Sequence, residues 1–184
     1  MQCLVLDVDA LSHASGLKLL PVLEIVIGTL PDRAVIERSV YTEARRSGLG
    51  NRLDAWHKLG LLKDPIDYKQ LSNGEFRFRE ARTRWKALSR QDCASLILAE
   101  ARRPSGILTC ERLLGAAATE LRIFHADLFD VIRLGLRIGH LTSSAAATLC
   151  ASWDGDRFSA GRPHNYRGSA AVEQAYRDEN KPLP

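Results

Sequence analysis

Unbroken apolar runs alternate along this chain with stripes of apolar residues spaced three or four apart. The first run, Cys3-Leu4-Val5-Leu6, has the length of a strand buried on both faces, and Asp7 closes it. Leu17, Leu20, Leu23, Ile27 and Leu30 follow at helical spacing until Pro31-Asp32 ends the pattern. Val35-Ile36, within 33–37, predicts a brief second strand, and Ser39 then caps a helix reaching about Arg46, closed by Gly48 and Gly50. The pattern is helical again from Arg52 to Leu62, up to Pro65. Ser72-Asn73-Gly74 marks a turn into a basic stretch that runs through Lys86. Ser89-Arg90-Gln91-Asp92 opens a helix whose apolar content includes Ala94, Leu96, Ile97, Leu98 and Ala101. Pro104-Ser105-Gly106 stops it. Gly106 to Cys110 predicts a buried strand, Leu113 to Leu121 a helix, Ile123-Phe124 a short strand, and Asp127 to Ile138 another helix.

Strands separated by helices, with few hairpin signals, predict the α/β class: a three-layer α/β/α sandwich around a short, mainly parallel sheet covered on both faces. The main domain is expected over 1–142. Residues 143–184 form a C-terminal extension: a helix over Ser143–Trp153, a loop or extended arm from Asp154 to Gly168, and a short helix from Ser169 to Asn180. There is no internal repeat.

Composition narrows the picture a little. At 184 residues, with 45% hydrophobic and 26% charged, the chain has an ordinary globular make-up with room for a well-buried core. A formal charge of +4 admits a polyanionic partner without requiring one. Cys3, Cys93, Cys110 and Cys150 form no CxxC pair and sit among apolar neighbours, as reduced thiols of a cytoplasmic protein would. Met1-Gln2 leads straight into the first strand, so no signal peptide is expected. The greasiest stretch, Leu19–Leu30, contains Glu24 and is too short to span a bilayer, so no membrane role is expected.

The acids carry the chemistry. Asp7 and Asp9 follow the first strand, Glu43 lies in the helix after the second, Asp92 stands in the first turn of its helix, and Glu111 comes directly after the Ile107 strand. In open α/β sheets the carboxyl ends of the strands are where ligands collect. Carboxylates converging there repel one another unless partly protonated or bridged by a hard cation such as Mg²⁺ or Mn²⁺. Such an ion can activate water and stabilise the charge that builds on a phosphodiester.

Leu4-Val5-Leu6-Asp7, Val40-Tyr41-Thr42-Glu43, Gln91-Asp92-Cys93-Ala94-Ser95 and Ile107-Leu108-Thr109-Cys110-Glu111 resemble, in order and context, the motifs of PIN-domain proteins, including the VapC-type toxins. The likeness covers roughly 1–142. It implies an α/β/α sandwich, an acidic quartet of Asp7, Glu43, Asp92 and Glu111 holding Mg²⁺ or Mn²⁺, and endonucleolytic cleavage of single-stranded RNA. It also implies a homodimer and, for a toxin, a cognate antitoxin protein. Two positions differ: Cys110-Glu111 replaces the family's Asp-Asp or Asn-Asp, and Asp9 stands where Asn, Thr or Ser is common.

Each acid also has a plain structural reading. Asp92 would complete a capping box with Ser89, Glu111 would favour the helix dipole, Glu43 could pair with Arg46, and Asp9 could cap the turn after the strand. The stretch 75–86 interleaves arginines, Arg77 and Arg82 among them, with aromatics, as a strip facing RNA would, or simply as a wet helix face. Arg45 and Arg46 are further candidates for phosphate contact. Leu4-Val5-Leu6-Asp7-Val8-Asp9 also resembles the opening of haloacid-dehalogenase phosphatases, in which Asp7 would be the nucleophile. A PIN fold without activity, serving as a binding module, is the third reading.

Overall fold

Cys3 to Leu6 are apolar on both sides of the pleat because both sides of the sheet are covered. In this computed structural model, described for residues 1–151, 153 and 154, the strands are β1 (Cys3–Leu6), β2 (Ala34–Val35), β3 (Ser105–Leu108) and β4 (Phe124–Ala126). They form one parallel sheet in the order β2-β1-β3-β4. Leu4 lies opposite Ala34 and Gly106, and Leu108 lies opposite Leu6 and Ala126.

The helices are α1 (Val8–Gly16), α2 (Leu20–Thr29), α3 (Arg38–Ala44), α4 (Gly50–Lys58), α5 (Gly74–Arg84), α6 (Arg90–Ala101), α7 (Arg112–Glu120), α8 (Leu128–Arg137) and α9 (Ser143–Ala151). Leu4, Leu6 and Leu108 point into a core shared with α1 to α4, α8 and α9, where Trp56 and Trp153 are fully buried. Cys3, Val5 and Ile107 point the other way, against α5, α6 and α7. This is the three-layer α/β/α sandwich that the alternation of runs and stripes predicts. Ala146, Cys150 and Trp153 belong to the first core, so α9 packs as an integral part of that layer.

Several local expectations change. Nothing in the apolar pattern before Leu17 announces α1, which begins at once after β1 because Asp7 caps it. The helix expected from Leu17 is α2, separated from α1 by Lys18 at φ 58°. Glu37, rather than Ser39, caps α3: its carboxylate accepts from both the Ser39 N–H and the Ser39 hydroxyl. Residues Arg45–Leu49 continue α3 as a π-helical turn into α4, and Gly48 supplies the φ of 92° that the bend requires. The capping box at Ser89 and Asp92 is present with both of its hydrogen bonds. All four cysteines are free thiols. No helix among the described residues is long and apolar enough to cross a membrane. The arm and helix expected over 154–180 lie, Asp154 apart, outside the described residues.

Candidate functional site

β1 ends where its ladder with β3 ends, so Asp7 and Thr109 emerge side by side at the carboxyl edge of the sheet. Asp7 is 2% exposed. Its Oδ1 accepts from the Val8 N–H at 2.8 Å, and its Oδ2 accepts from the Thr109 hydroxyl at 2.9 Å. The Thr109 Oγ in turn accepts from the Glu111 N–H at 3.0 Å. A three-residue relay thus ties the loop after β3 to the acid after β1.

Burial pushes the Asp7 carboxyl up to about 7. The negative charges of Asp92 and Asp9 add to that, while the bonds from Thr109 and Val8 oppose it.

Beside Asp7 opens a cleft of about 350 Å³ lined by Asp7, Asp9, Glu43, Asp92 and Glu111, with Ser89 and Gln91 as further polar neighbours. Five carboxylates from four separate segments meet here, and among the described residues no lysine or arginine lines the cleft. Glu43 and Asp9 reach it from the exposed faces of α3 and α1. Asp92 arrives on the first turn of α6, whose buried face packs against the sheet.

The structural and functional readings of these acids coexist. Asp92 Oδ2 accepts from the Ser89 N–H at 2.8 Å, and the Ser89 hydroxyl accepts from the Asp92 N–H at 3.0 Å. Glu111 is the N-cap of α7, with Oε1 accepting from the Leu113 N–H at 3.1 Å. Asp9 is not a cap, since Asp7 takes that place; it stands in the first turn of α1. Glu43 pairs with no cation among the described residues, so the expected partnership with Arg46 is not formed.

Oxygen-only donors with no compensating cation are what a hard divalent ion selects. Their resting positions are not yet a cage: among the described residues no three Asp, Glu, His or Cys side chains are arranged to hold a metal ion. Asp92 and Glu111 each commit one oxygen to a helix cap, which leaves the other oxygen of each outside the cap. The residues fit the ion in chemistry and charge, and the exposed Asp9 and Glu43 are the side chains with room to turn and complete its shell.

The basic residues lie elsewhere. Arg45 is paired with Asp54 and bonded to the Tyr41 hydroxyl, Arg77 is paired with Glu100 at 3.0 Å, and Arg84 with Glu120. Arg46 is exposed on the π turn. Arg82 donates to the carbonyl of Leu88, a residue of the cleft wall, and so braces that wall. On α5 the arginine and aromatic strip mostly satisfies itself: Trp85 donates to Glu120 at 2.8 Å, and Phe78 stacks on Tyr68. Phe76 alone of its aromatics is broadly exposed, at 64%.

One acid escaped the sequence reading. Asp127, fully buried at the end of β4, caps α8 through Oδ1, which accepts from the N–H groups of Phe129 and Asp130. Its Oδ2 has no hydrogen-bond partner among the described residues. Burial, then the charge of Asp130, pushes this carboxyl up to about 7. Cys110 lies close enough to feel it: burial first and Asp127 second push the thiol up to about 12, far from a reactive thiolate. The capping pattern at Asp127-Leu-Phe-Asp130 was the available signal, but it carries no information about depth.

Comparison with protein-family models, with curated proteins and with solved structures finds no match.

Proposed function

We propose that the protein is a divalent-metal-dependent endoribonuclease of PIN type that cleaves single-stranded RNA. One observation supports the reading above the rest: carboxylates from four segments face one cleft at the carboxyl edge of a parallel sheet, with no basic side chain among the described residues lining it. Asp7, Glu43, Asp92 and Glu111 are the residues that would hold Mg²⁺ or Mn²⁺. Such an ion supplies Lewis acidity toward a phosphoryl oxygen and an activated water.

The chain's own contribution is preorganisation. Thr109 and the Val8 N–H fix the Asp7 carboxylate, and Ser89 fixes that of Asp92. Arg82 holds the wall that Leu88 contributes. Glu43 and Asp9, on exposed helix faces, are the acids with freedom to move toward an incoming cation. Arg46, exposed on the turn after the Glu43 helix and, unlike Arg45, without an ion-pair partner among the described residues, is the candidate there to contact an RNA phosphate.

The wider reading follows the resemblance: the toxin of a toxin-antitoxin pair, working in the cytoplasm as a homodimer and held inactive by a cognate antitoxin protein. The test is cleavage of an unstructured RNA oligonucleotide by purified protein with Mn²⁺, with Mg²⁺ and with EDTA, beside Glu43→Gln and Asp7→Asn. Cleavage that needs the metal and both acids supports the reading. Equal cleavage by wild type and variants, or none with either metal, overturns it.

A further inference from the structure

A second cavity, of about 480 Å³, lies on the face of the sheet that presents Leu4 and Leu108, between the sheet and the helix pair α2 and α8. Leu23 and Val26 of α2 face Val131 and Leu134 of α8 across it, and Leu108 and Ala126 form its floor. Close-packed interiors leave few voids larger than a water molecule, and a space in the range of about 300–1,000 Å³ is that of a small-molecule pocket. Gly135 explains why α2 and α8 remain close beside it: a Cβ there would press on Val22 and Leu141. The two helices therefore touch at one level and part at another.

Charge marks one end. Arg103 and Arg122, in the segments that lead into β3 and β4, line the mouth at the amino edge of the sheet. The only acid among the lining residues, Asp130, is matched by Arg133 at 3.4 Å. Arg103 donates to the Leu121 carbonyl, which holds its guanidinium at the mouth, and shares only a distant pairing with Glu100, at 3.9 Å; the Arg122 guanidinium has no ion-pair partner among the described residues. The mouth is thus positive and the interior apolar. Of the large apolar side chains that stand exposed among the described residues, only Met1 lines the cavity. A protein partner would need an apolar collar around the opening, and the described residues form none there, so the space suits a guest that enters it.

We propose that this cavity binds a single-chain fatty carboxylate, with its tail between α2 and α8 and its head group on Arg103 and Arg122. The floor follows β3 for roughly 10 Å, which accommodates a tail of about eight to ten carbons. Guanidinium forks favour a carboxylate over a neutral head, and the apolar walls reject a short acid that has no tail to bury. The proposal stands independently of the nuclease reading.

The test is calorimetric titration of the full chain with sodium decanoate, with decanol and with acetate. Three forms are compared: wild type, the Arg103→Ala, Arg122→Ala double variant, and Leu134→Trp, which places an indole in the cavity from a half-buried position. Circular dichroism confirms that each variant is folded, and Val26→Trp replaces Leu134→Trp if the latter does not fold. Decanoate is expected to bind wild type at least about tenfold more tightly than decanol, with no heat from acetate. The double variant should lose about that tenfold preference while keeping its decanol affinity, and the indole variant should bind neither. No decanoate binding to wild type, equal binding to the indole variant, or an unchanged preference in the double variant each overturns the proposal.

Discussion

The Thr109 hydroxyl donates to Asp7 Oδ2 at 2.9 Å across 102 positions of sequence, and both groups are buried. It is the one side-chain bond that reaches the deepest acid of the cleft, and it joins the ends of β1 and β3. Replacing Thr109 with Val keeps the shape and removes the donor. The expected cost is about 1–3 kcal/mol, because the carboxylate would keep its burial without its partner. Chemical denaturation at pH 8, where Asp7 is charged, should show the full loss, and at pH 4.5 a smaller one. Equal losses at both values would mean that the hydroxyl acts through the Glu111 N–H it accepts from and not through the charge of Asp7.

Asp7 and Asp127 both have carboxyls raised to about 7 by burial. A carboxyl whose folded pKa exceeds its unfolded value binds its proton more tightly in the native state. Its stabilising contribution is therefore whole below about pH 4 and is lost as the pH rises toward 7. Metal-free protein should unfold more easily at pH 8 than at pH 5.5. Asp127→Asn keeps an N-cap acceptor and abolishes one of the two titrations, so it should raise the melting temperature at pH 8 and leave it nearly unchanged at pH 4. A melting temperature that climbs from pH 5.5 to 8 in EDTA would contradict the assignment.

Some of this was legible in the sequence and some was not, for identifiable reasons. The capping boxes at Ser89 and Asp127 depend on residues three apart, so the starts of α6 and α8 were readable. Helix α1 was hidden because Asp7 both closes β1 and caps α1, leaving no loop between them to read. Glu37 outcompetes Ser39 as a cap because its longer carboxylate reaches the Ser39 N–H and hydroxyl together. Asp7, Asp92 and Glu111 stand at strand ends and helix starts, which local pattern reveals, whereas Glu43 reaches the same cleft from the last turn of α3, where no such pattern marks it. The arginine pairings are unmarked too: Arg77 finds Glu100 on α6 and Arg84 finds Glu120 on α7 because these helices share a layer with α5, and no local pattern encodes those partners.

Ser89→Ala separates the two duties of Asp92. The capping box loses one bond, for about 1 kcal/mol of stability by thermal melting. Asp92 meanwhile keeps its carboxylate in the cleft, so metal-dependent cleavage at 25 °C should fall far less than in Asp92→Asn. Matching losses in the two variants would make Asp92 a cap and nothing more.

Arg82 offers a similar separation for the cleft wall. Its guanidinium is bonded to the Leu88 carbonyl, so Arg82→Ala should loosen the loop before Ser89 and cost roughly 1–2 kcal/mol. Under the nuclease reading kcat should drop while KM for RNA changes little, because the residue supports the wall and does not face the substrate. A rise in KM with kcat intact would place Arg82 on the RNA, as the basic strip of the sequence first suggested.

Glu43 gives the cleanest division between fold and function. Alone among the four proposed ligands it caps no helix, and it stands exposed on α3 at the lip of the cleft. Removing its charge takes away no structural bond and relieves repulsion among neighbouring acids. Glu43→Gln should therefore leave stability within about 0.5 kcal/mol of wild type, or raise it slightly, in EDTA. Adding Mn²⁺ should raise the melting temperature of wild type, because an ion bound only by the folded state stabilises it. The variant should show a much smaller rise and at least about a hundredfold less cleavage, the loss expected when a coordinating carboxylate is removed. An equal Mn²⁺ shift in both proteins would take Glu43 out of the metal site and, with it, the shared coordination on which the nuclease reading rests.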